Sequence, residues 1–327
     1  MQVFRYSQAH TVDAAVQNAA RSGGAFIAGG TTLVDLMKLN VLQPQSVVDI
    51  NGLPLDRIET LPNGGLRIGA LVRNSDLASN QTVQQQYAVL SQALLSGASP
   101  QLRNMATTGG NLLQKTRCYY YRDTNYPCNK RQPGSGCAAL DGFNRIHAVL
   151  GGSDHCVATH PSDMAVAMMA LEATIHTRGS KGERTIALDE FYLVPGSTPD
   201  RENLLLPGEL ITHVTLPALA SGTRSVYLKL RDRAQYEFAL ASSAVVINVS
   251  GGAVQRARIA FGGVGTKPWR SREAENALEG QPATSETFHR AAEAAMAGAK
   301  PLKYNAFKIE LAKRALIRTL TETTQSA

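Results

Sequence analysis

All four cysteines of this 327-residue chain lie in one stretch, at Cys118, Cys128, Cys137 and Cys156. Thiols that serve only packing would scatter among the apolar segments, where buried cysteine usually lies. Their concentration in one stretch indicates a single site that uses several sulfur atoms. Gaps of this size also require a long loop with little regular structure.

Three kinds of site are compatible with these residues. A structural zinc site usually shows C-x-x-C pairs, which this stretch lacks. Two disulfides fit an exported protein, although a chain of this length buries enough core to fold without them. An iron–sulfur cluster bound by four thiolates is the third kind, and its ligand spacing differs between families. The spacing alone leaves the three open.

The same stretch is rich in tyrosine and in cations. Its tyrosines are Tyr119, Tyr120, Tyr121 and Tyr126, and its cations are Lys115, Arg117, Arg122, Lys130, Arg131 and Arg145. Nearby cations and N–H groups would offset the negative charge of a thiolate cluster, whereas a solvated basic loop is the simpler interpretation. His147, His155 and His160 lie near the cysteines, and we expect them to support the site or to face solvent rather than to bind metal.

Two paired glycines, each beside threonines, precede this stretch. Gly29-Gly30 follows a predicted strand and leads through Thr31 and Thr32 into a predicted helix, and Gly109-Gly110 follows Thr107 and Thr108. Glycine lets backbone N–H groups approach a phosphate, and a helix start attracts anions. One such pair is typical of an ordinary turn that needs positive φ. Two pairs predict loops that converge on one polyphosphate ligand.

The elements around these loops predict an α+β fold with a division near residue 190. Residues 1–190 read as short strands and helices, with the cysteine loop inserted at about 112–160 before a helix capped by Ser162 or Asp163. Residues 191–327 show alternating segments, a hairpin signal at Ser250-Gly251-Gly252, and helices from Arg270 onwards. We expect a C-terminal antiparallel sheet covered by helices.

Composition excludes several classes of function. Hydrophobic residues make up 43% and charged residues 18%, as in globular proteins, and no apolar run predicts a membrane span. The first residues show no signal peptide. The net charge of +7 is dispersed without a nucleic-acid-binding motif, so an anionic cofactor or an acidic partner fits better than nucleic acid. The histidines form no H-x-x-x-H pattern and no G-x-S-x-G elbow occurs, which disfavours metallohydrolase and serine hydrolase chemistry.

Six ordered motifs, FIAGGTTLVDLMK, RIGALVRNSDLA, ATTGGNLLQ, HPSDMAVAMMALEA, LLPGELITHVTLP and FGGVGTKPWR, resemble the FAD-binding subunit of the xanthine oxidase family of molybdenum hydroxylases. The resemblance covers essentially the whole chain. It implies a two-part FAD-binding domain and a C-terminal α+β domain that closes over the flavin. The implied FAD-binding residues are Phe26, Ile27, Ala28, Gly29, Gly30, Thr31, Thr32, Leu33, Thr107, Thr108, Gly109, Gly110, Asn111, Ser162, Asp163, Ile211 and Lys229.

Two of these residues carry a more specific expectation. The resemblance implies that Ile211 and Lys229 lie together at the flavin end. Lys229 would stand near the isoalloxazine and favour the anionic reduced flavin. Strand alternation by itself predicts Lys229 as an outward-facing residue of a sheet.

The cysteine loop departs from typical members of that family, in which the segments matching Asn111 and Ser162 almost adjoin. It resembles the minority of these subunits that carry a 4Fe-4S cluster as well as FAD. These include the subunits of 4-hydroxybenzoyl-CoA reductase and of bacterial periplasmic aldehyde oxidoreductase, and the loop most resembles the second. The resemblance therefore implies that Cys118, Cys128, Cys137 and Cys156 bind a 4Fe-4S cluster.

The implied function is electron transfer in a molybdenum-dependent aldehyde oxidoreductase. The implied partners are a large subunit with the molybdenum cofactor, a small subunit with 2Fe-2S clusters, and ferredoxin or another electron acceptor. Reductive dehydroxylation of an aromatic thioester, and a flavin subunit with a structural zinc loop, are the alternatives. We expect a periplasmic location by co-export with a partner that bears a signal, with the cytoplasm as the alternative.

Overall fold

The computed structural model describes residues 1–325, which form twelve strands and thirteen helices. The strands are β1 Arg5–Gln8, β2 Ala25–Ile27, β3 Ser46–Asp49, β4 Ile58–Thr60, β5 Leu66–Gly69, β6 Thr174–Gly179, β7 Gly182–Ala187, β8 Leu210–Leu216, β9 Thr223–Leu230, β10 Ala241–Ser250, β11 Ala253–Gly262 and β12 Trp269–Arg270. The helices are α1 Val12–Ser22, α2 Leu33–Lys38, α3 Asn74–Ser79, α4 Gln81–Gln86, α5 Ala88–Ser96, α6 Pro100–Met105, α7 Thr108–Leu112, α8 Tyr119–Arg122, α9 Asp163–Ala170, α10 Leu188–Phe191, α11 Arg272–Leu278, α12 Ser285–Met296 and α13 Phe307–Gln325.

The chain begins with a small parallel sheet of order β1-β3-β2. Helix α1 packs beside it because Ala15, Val16 and Ala19 share one buried face. The Thr11 hydroxyl accepts a hydrogen bond from the Ala14 amide at 3.1 Å and caps this helix. Strand β2 follows α1 and leads into the first glycine loop.

A second sheet has five antiparallel strands in the order β4-β5-β8-β6-β7. Helix α9 is buried along its whole length in the core beside this sheet. Strand β8 follows the predicted division at residue 190, yet it pairs with β5 and β6, which precede that point. The division into 1–190 and 191–327 stays a prediction.

The C-terminal region is an antiparallel sheet of order β12-β11-β10-β9, against which α11, α12 and α13 pack. Strands β10 and β11 join through Gly251 and Gly252, whose φ values are 59° and 76°. Because positive φ suits glycine, these residues make the tight turn possible. The predicted hairpin and the predicted antiparallel sheet with helices are both confirmed. None of the helices within residues 1–325 combines the length and the apolar character that a membrane crossing requires.

A fully buried lysine connects the C-terminal helix to the end of the cysteine loop. The Lys308 ammonium donates to the carbonyl oxygens of Ile146 and His147 at 3.0 and 2.9 Å, and also to that of Gly263. These acceptors belong to the loop and to the turn after β11. One side chain thus fixes three separate segments.

We predict that Lys308→Met lowers the free energy of unfolding by about 2–4 kcal/mol, because it leaves buried carbonyl groups without a donor. The matched control is Lys313→Met in the same helix, which removes an ion pair with the exposed Glu293 and should cost less than about 1 kcal/mol. Denaturant unfolding followed by circular dichroism measures both. Equal destabilisation of the two variants would contradict the proposed role of Lys308.

Candidate cofactor site

The two glycine loops pack directly against each other. A Cβ atom added to Gly29 would lie 1.9 Å from the carbonyl oxygen of Met105, just before the second loop. Gly30 has a φ of +70°, which disfavours other residues. Gly29 is therefore needed for close approach and Gly30 for the turn, so the two loops converge as the sequence predicts.

The second glycine loop is fixed by its own amide groups. They donate to protein oxygen atoms at 2.8–3.3 Å: Thr108 to Val72, Gly109 to Ala70, and Gly110 and Asn111 to Thr107. These amides already have partners. Amides available to an anion therefore lie in the first loop, at the start of α2, where a helix leaves N–H groups without intrahelical acceptors.

Two cavities adjoin the glycine loops. The apolar cavity is lined by Phe26, Ile27, Ala28, Gly29, Gly30, Thr31, Thr32, Leu33, Thr107, Gly109, Gly110 and Ile211, among others. The polar cavity is lined by Thr31, Thr32, Gly110, Asn111, Asp163 and Lys229, among others. Because Thr31, Thr32 and Gly110 line both, the cavities meet at the glycine loops. This arrangement suits a long ligand with an anionic middle.

Three of the predicted FAD-binding residues, Ile211, Thr108 and Ser162, do not line the polar cavity that contains Lys229. Ile211 lines the apolar cavity, so the structure separates it from Lys229 instead of placing the two together. Thr108 is fully buried, and its hydroxyl donates to the carbonyl oxygen of Val72 at 3.2 Å. Ser162 lines a neighbouring cavity together with Asp163.

A buried ion pair forms one wall of the polar cavity. The Lys229 ammonium donates to Asp163 Oδ2 at 2.8 Å, and the Tyr227 hydroxyl donates to Asp163 Oδ1 at 2.5 Å. The Lys229 side chain is only 3% exposed, so its prediction as an outward-facing strand residue is wrong. Burial, and secondarily the adjacent Asp163, raises the pKa of Tyr227 well above its usual value, which keeps this hydroxyl protonated as a donor.

Two buried polar atoms of the polar cavity have no hydrogen-bond partner within residues 1–325. They are Asn74 Oδ1 and Arg117 Nε, and both side chains line this cavity. Buried polar groups are normally paired, because an unpaired one costs desolvation energy. A ligand with both acceptor and donor groups would satisfy them, as the amide and phosphate groups of FAD do. The residues present therefore fit FAD.

The four cysteines line one cavity, and all four are free thiols. The disulfide interpretation is therefore not what the structure shows. Burial raises the pKa of Cys118 to about 12 and also raises the pKa of Cys137 and Cys156. A bound metal would be needed to offset this cost of forming thiolates.

Backbone N–H groups surround three of the sulfur atoms. The amides of Tyr120 and Tyr121 donate to Cys118, the amide of Ala158 donates to Cys156, and the amides of Ala139, Leu140 and Val157 donate to Cys137. His147 Nε2 lies 3.1 Å from Cys118 Sγ. Hydrogen bonds to ligand sulfur are a regular feature of iron–sulfur sites. Within residues 1–325, no group of three or more His, Cys, Asp or Glu side chains is arranged to hold a metal ion.

The cations of the cysteine loop attach it to the rest of the chain. Arg122 Nη2 donates to both Asp35 oxygens at 3.0 and 2.8 Å, and Arg117 Nη1 donates to Asp35 Oδ2 at 3.3 Å. Lys115 and Lys130 both bind Glu202. Burial would raise the pKa of Glu202, but the two lysines outweigh it and hold this pKa below its usual value. Arg145 binds Asp232, and Arg131 donates to backbone carbonyl oxygens within the loop.

Three residues of the site were not predicted from the sequence: Asn74, Arg117 and Tyr227. Asn74 lies in the motif RIGALVRNSDLA, and Arg117 was one of six loop cations without an individual role. Tyr227 lies two residues before Lys229 on β9, and a same-face spacing of two is the signal that could have found it.

Residues 2–219 match the family described as FAD binding domain in molybdopterin dehydrogenase, and residues 226–323 match the CO dehydrogenase flavoprotein C-terminal domain. The chain belongs to this family. It is therefore an FAD-binding oxidoreductase subunit of the molybdenum hydroxylase type, as the resemblance implies.

Several relatives of this flavoprotein subunit match over most of their length. The aldehyde oxidoreductase FAD-binding subunit PaoB of Escherichia coli is 54% identical over 325 residues, which are 98% of each chain. The glyceraldehyde dehydrogenase medium chain of Sulfolobus acidocaldarius is 30% identical over 256 residues, which are 78% of this chain and 73% of that protein. A solved carbon monoxide dehydrogenase structure from Hydrogenophaga pseudoflava has a TM-score of 0.77 at 29% identity, covering 98% of this chain and 97% of its own.

We predict that Gly29→Ala lowers the affinity for FAD at least about tenfold, because the added Cβ must displace the Met105 carbonyl and the second loop with it. Gly298→Ala is the control, since a Cβ there meets nothing within 4 Å. Titration of the FAD-depleted protein, followed by flavin fluorescence, measures both affinities. Unchanged binding by Gly29→Ala would refute the close-packing argument.

Proposed function

We propose that this FAD-binding subunit carries electrons through a molybdenum-dependent aldehyde oxidoreductase complex. Electrons would come from 2Fe-2S clusters in a small partner subunit, and the aldehyde would be oxidised on a large partner subunit that holds the molybdenum cofactor. The observation that carries the proposal is the pair of cavities joined at two glycine loops, on a chain similar over its full length to an aldehyde oxidoreductase subunit. No residue of this chain is proposed to act on the aldehyde.

The FAD-binding residues would be those that line the joined cavities. The apolar cavity would shield one end of the cofactor from water, and the amides around Gly30, Thr31 and Thr32 would face the diphosphate. The Asp163–Lys229 pair would position the other end. When bound, FAD supplies a junction that accepts electrons singly and releases one or two at a time. The protein's own task is to bind, orient and shield it.

We further propose that the four cysteines hold a 4Fe-4S cluster. Free thiols around one cavity and amide groups aimed at three sulfurs support this assignment. Structural zinc is the alternative, and it requires that all its sulfur ligands lie about 2.3 Å from a single ion. In a 4Fe-4S cluster each thiolate binds a different iron, so the sulfurs lie further apart.

The attachment of the cysteine loop supports electron exchange between cluster and flavin. Asp35 lies in the first turn of α2, directly after the first glycine loop, and it binds Arg122 and Arg117 on either side of Cys118. The buried sulfur of Cys118 is thereby held beside the FAD-binding loop. The proposed cluster would serve as the exit for electrons to a one-electron acceptor.

Ferredoxin or a similar carrier is the proposed acceptor. The loop cations contribute little to the attraction of an acidic carrier, because they are largely occupied in attaching the loop to the chain. Tyr119, Tyr126 and Phe143 remain 47–51% exposed around the cysteine site and offer a contact surface. A periplasmic location, reached with a signal-bearing partner, is part of the same proposal.

We predict about four iron and four sulfide per chain in the purified complex beyond those of the 2Fe-2S subunit, with broad visible absorption near 400 nm. Elemental analysis and the visible spectrum of the complex measure this, after the contributions of FAD and of the 2Fe-2S subunit are subtracted. One zinc per chain without the broad absorption would contradict the cluster and favour a structural zinc loop.

We predict that Cys128→Ser removes this absorption and slows ferredoxin reduction at least about tenfold, because each cluster thiolate is needed for stable assembly. The FAD content, measured from the flavin released on denaturation, should stay near one per chain. Full turnover with ferredoxin in a variant that has lost its cluster would show that the electrons leave by another route.

A further inference from the structure

One cation of the cysteine loop has a donor group that the protein leaves unused. Arg117 Nε is shielded from solvent and has no hydrogen-bond partner within residues 1–325. In the same guanidinium, Nη1 donates to Asp35 Oδ2 at 3.3 Å, and Cζ lies 4.7 Å from the centre of the Phe238 ring. A buried N–H on a charged group costs more when unpaired than a neutral one. Its position therefore indicates a missing acceptor.

The surroundings of Arg117 indicate the charge of that acceptor. The polar cavity is lined by the cations Arg103, Arg117, Lys229 and Arg233 and by the carboxylates of Asp163 and Glu237. The Lys229 charge is already balanced by Asp163. Asp35 is shared between Arg117 and Arg122, which leaves positive charge in excess beside the cavity. An anionic ligand with hydrogen-bond acceptors suits this environment.

We infer that Arg117 donates its Nε–H to FAD bound in the polar cavity, so that the cysteine loop itself supplies a cofactor contact. The inference rests on the proposed FAD site. Arg117 directly precedes Cys118, and one short backbone segment then contacts the flavin cofactor and provides a cluster ligand. Arg117 is a binding and positioning residue, and it fixes the cysteine site relative to FAD.

Arg122 provides a matched control for the test. It binds the same Asp35 carboxylate through two contacts, but it is absent from the lining of the polar cavity. Arg117→Met and Arg122→Met each remove one arginine from Asp35, and only the first removes a donor from the cavity. Arg117→Lys retains a charge but lacks the Nε–H group.

The experiment is titration of FAD into the FAD-depleted full complex of each variant, followed by flavin fluorescence, with iron content and circular dichroism measured on the same samples. We expect Arg117→Met to weaken FAD binding at least about tenfold, Arg117→Lys to weaken it several-fold, and Arg122→Met to change it less than about threefold.

Two results would overturn the inference while leaving the FAD site intact. Wild-type affinity in both Arg117 variants would show that the Nε–H group has no role. Equal weakening in Arg122→Met would show that only attachment of the loop through Asp35 matters. Failure of the wild-type complex to bind FAD would instead refute the proposed site, and the inference with it. If Arg117→Met does not fold, Arg117→Lys decides the question alone.

Discussion

The hydrogen bond from Ser162 Oγ to Asn111 Oδ1, 2.6 Å long, joins two residues that lie 51 positions apart. It closes the cysteine loop at its base. Ser162 also caps α9, because its hydroxyl accepts from the Ala165 amide at 2.9 Å. The second glycine loop and the buried helix α9 therefore stay in contact, although the cysteine loop separates them in the sequence. The rest of the fold can accommodate this loop for that reason.

The insertion has little regular structure, so side-chain interactions must hold it in place. Exposed ion pairs contribute little individually, but here two carboxylates each bind two cations of the loop. Asp35 fixes the loop to the first glycine loop, and Glu202 fixes it to the segment before β8. Lys308 adds an attachment to the C-terminal helix. The cysteine loop is thus attached to the rest of the chain from several sides.

Local patterns predicted the parts of this structure that depend on local physics. The hairpin at Gly251 and Gly252 follows from the backbone conformation that glycine allows, and it was confirmed. The alternation of residues along a strand predicted that Lys229 faces outward, and this was wrong. Lys229 is buried against Asp163, which belongs to a helix 66 residues away in the sequence. The unpartnered atoms Asn74 Oδ1 and Arg117 Nε were not foreseen for a similar reason. Whether a polar atom lacks a partner depends on every segment that packs around it.

The central claim is that a second redox site has been inserted into an FAD-binding scaffold and held beside the flavin. Anomalous diffraction from crystals of the intact complex, measured on both sides of the iron absorption edge, tests it most directly. We predict a strong iron peak between Cys118, Cys128, Cys137 and Cys156, separate from the peaks of the 2Fe-2S subunit. Absence of iron there, with the thiols unmodified or bound to a single zinc ion, would contradict the claim.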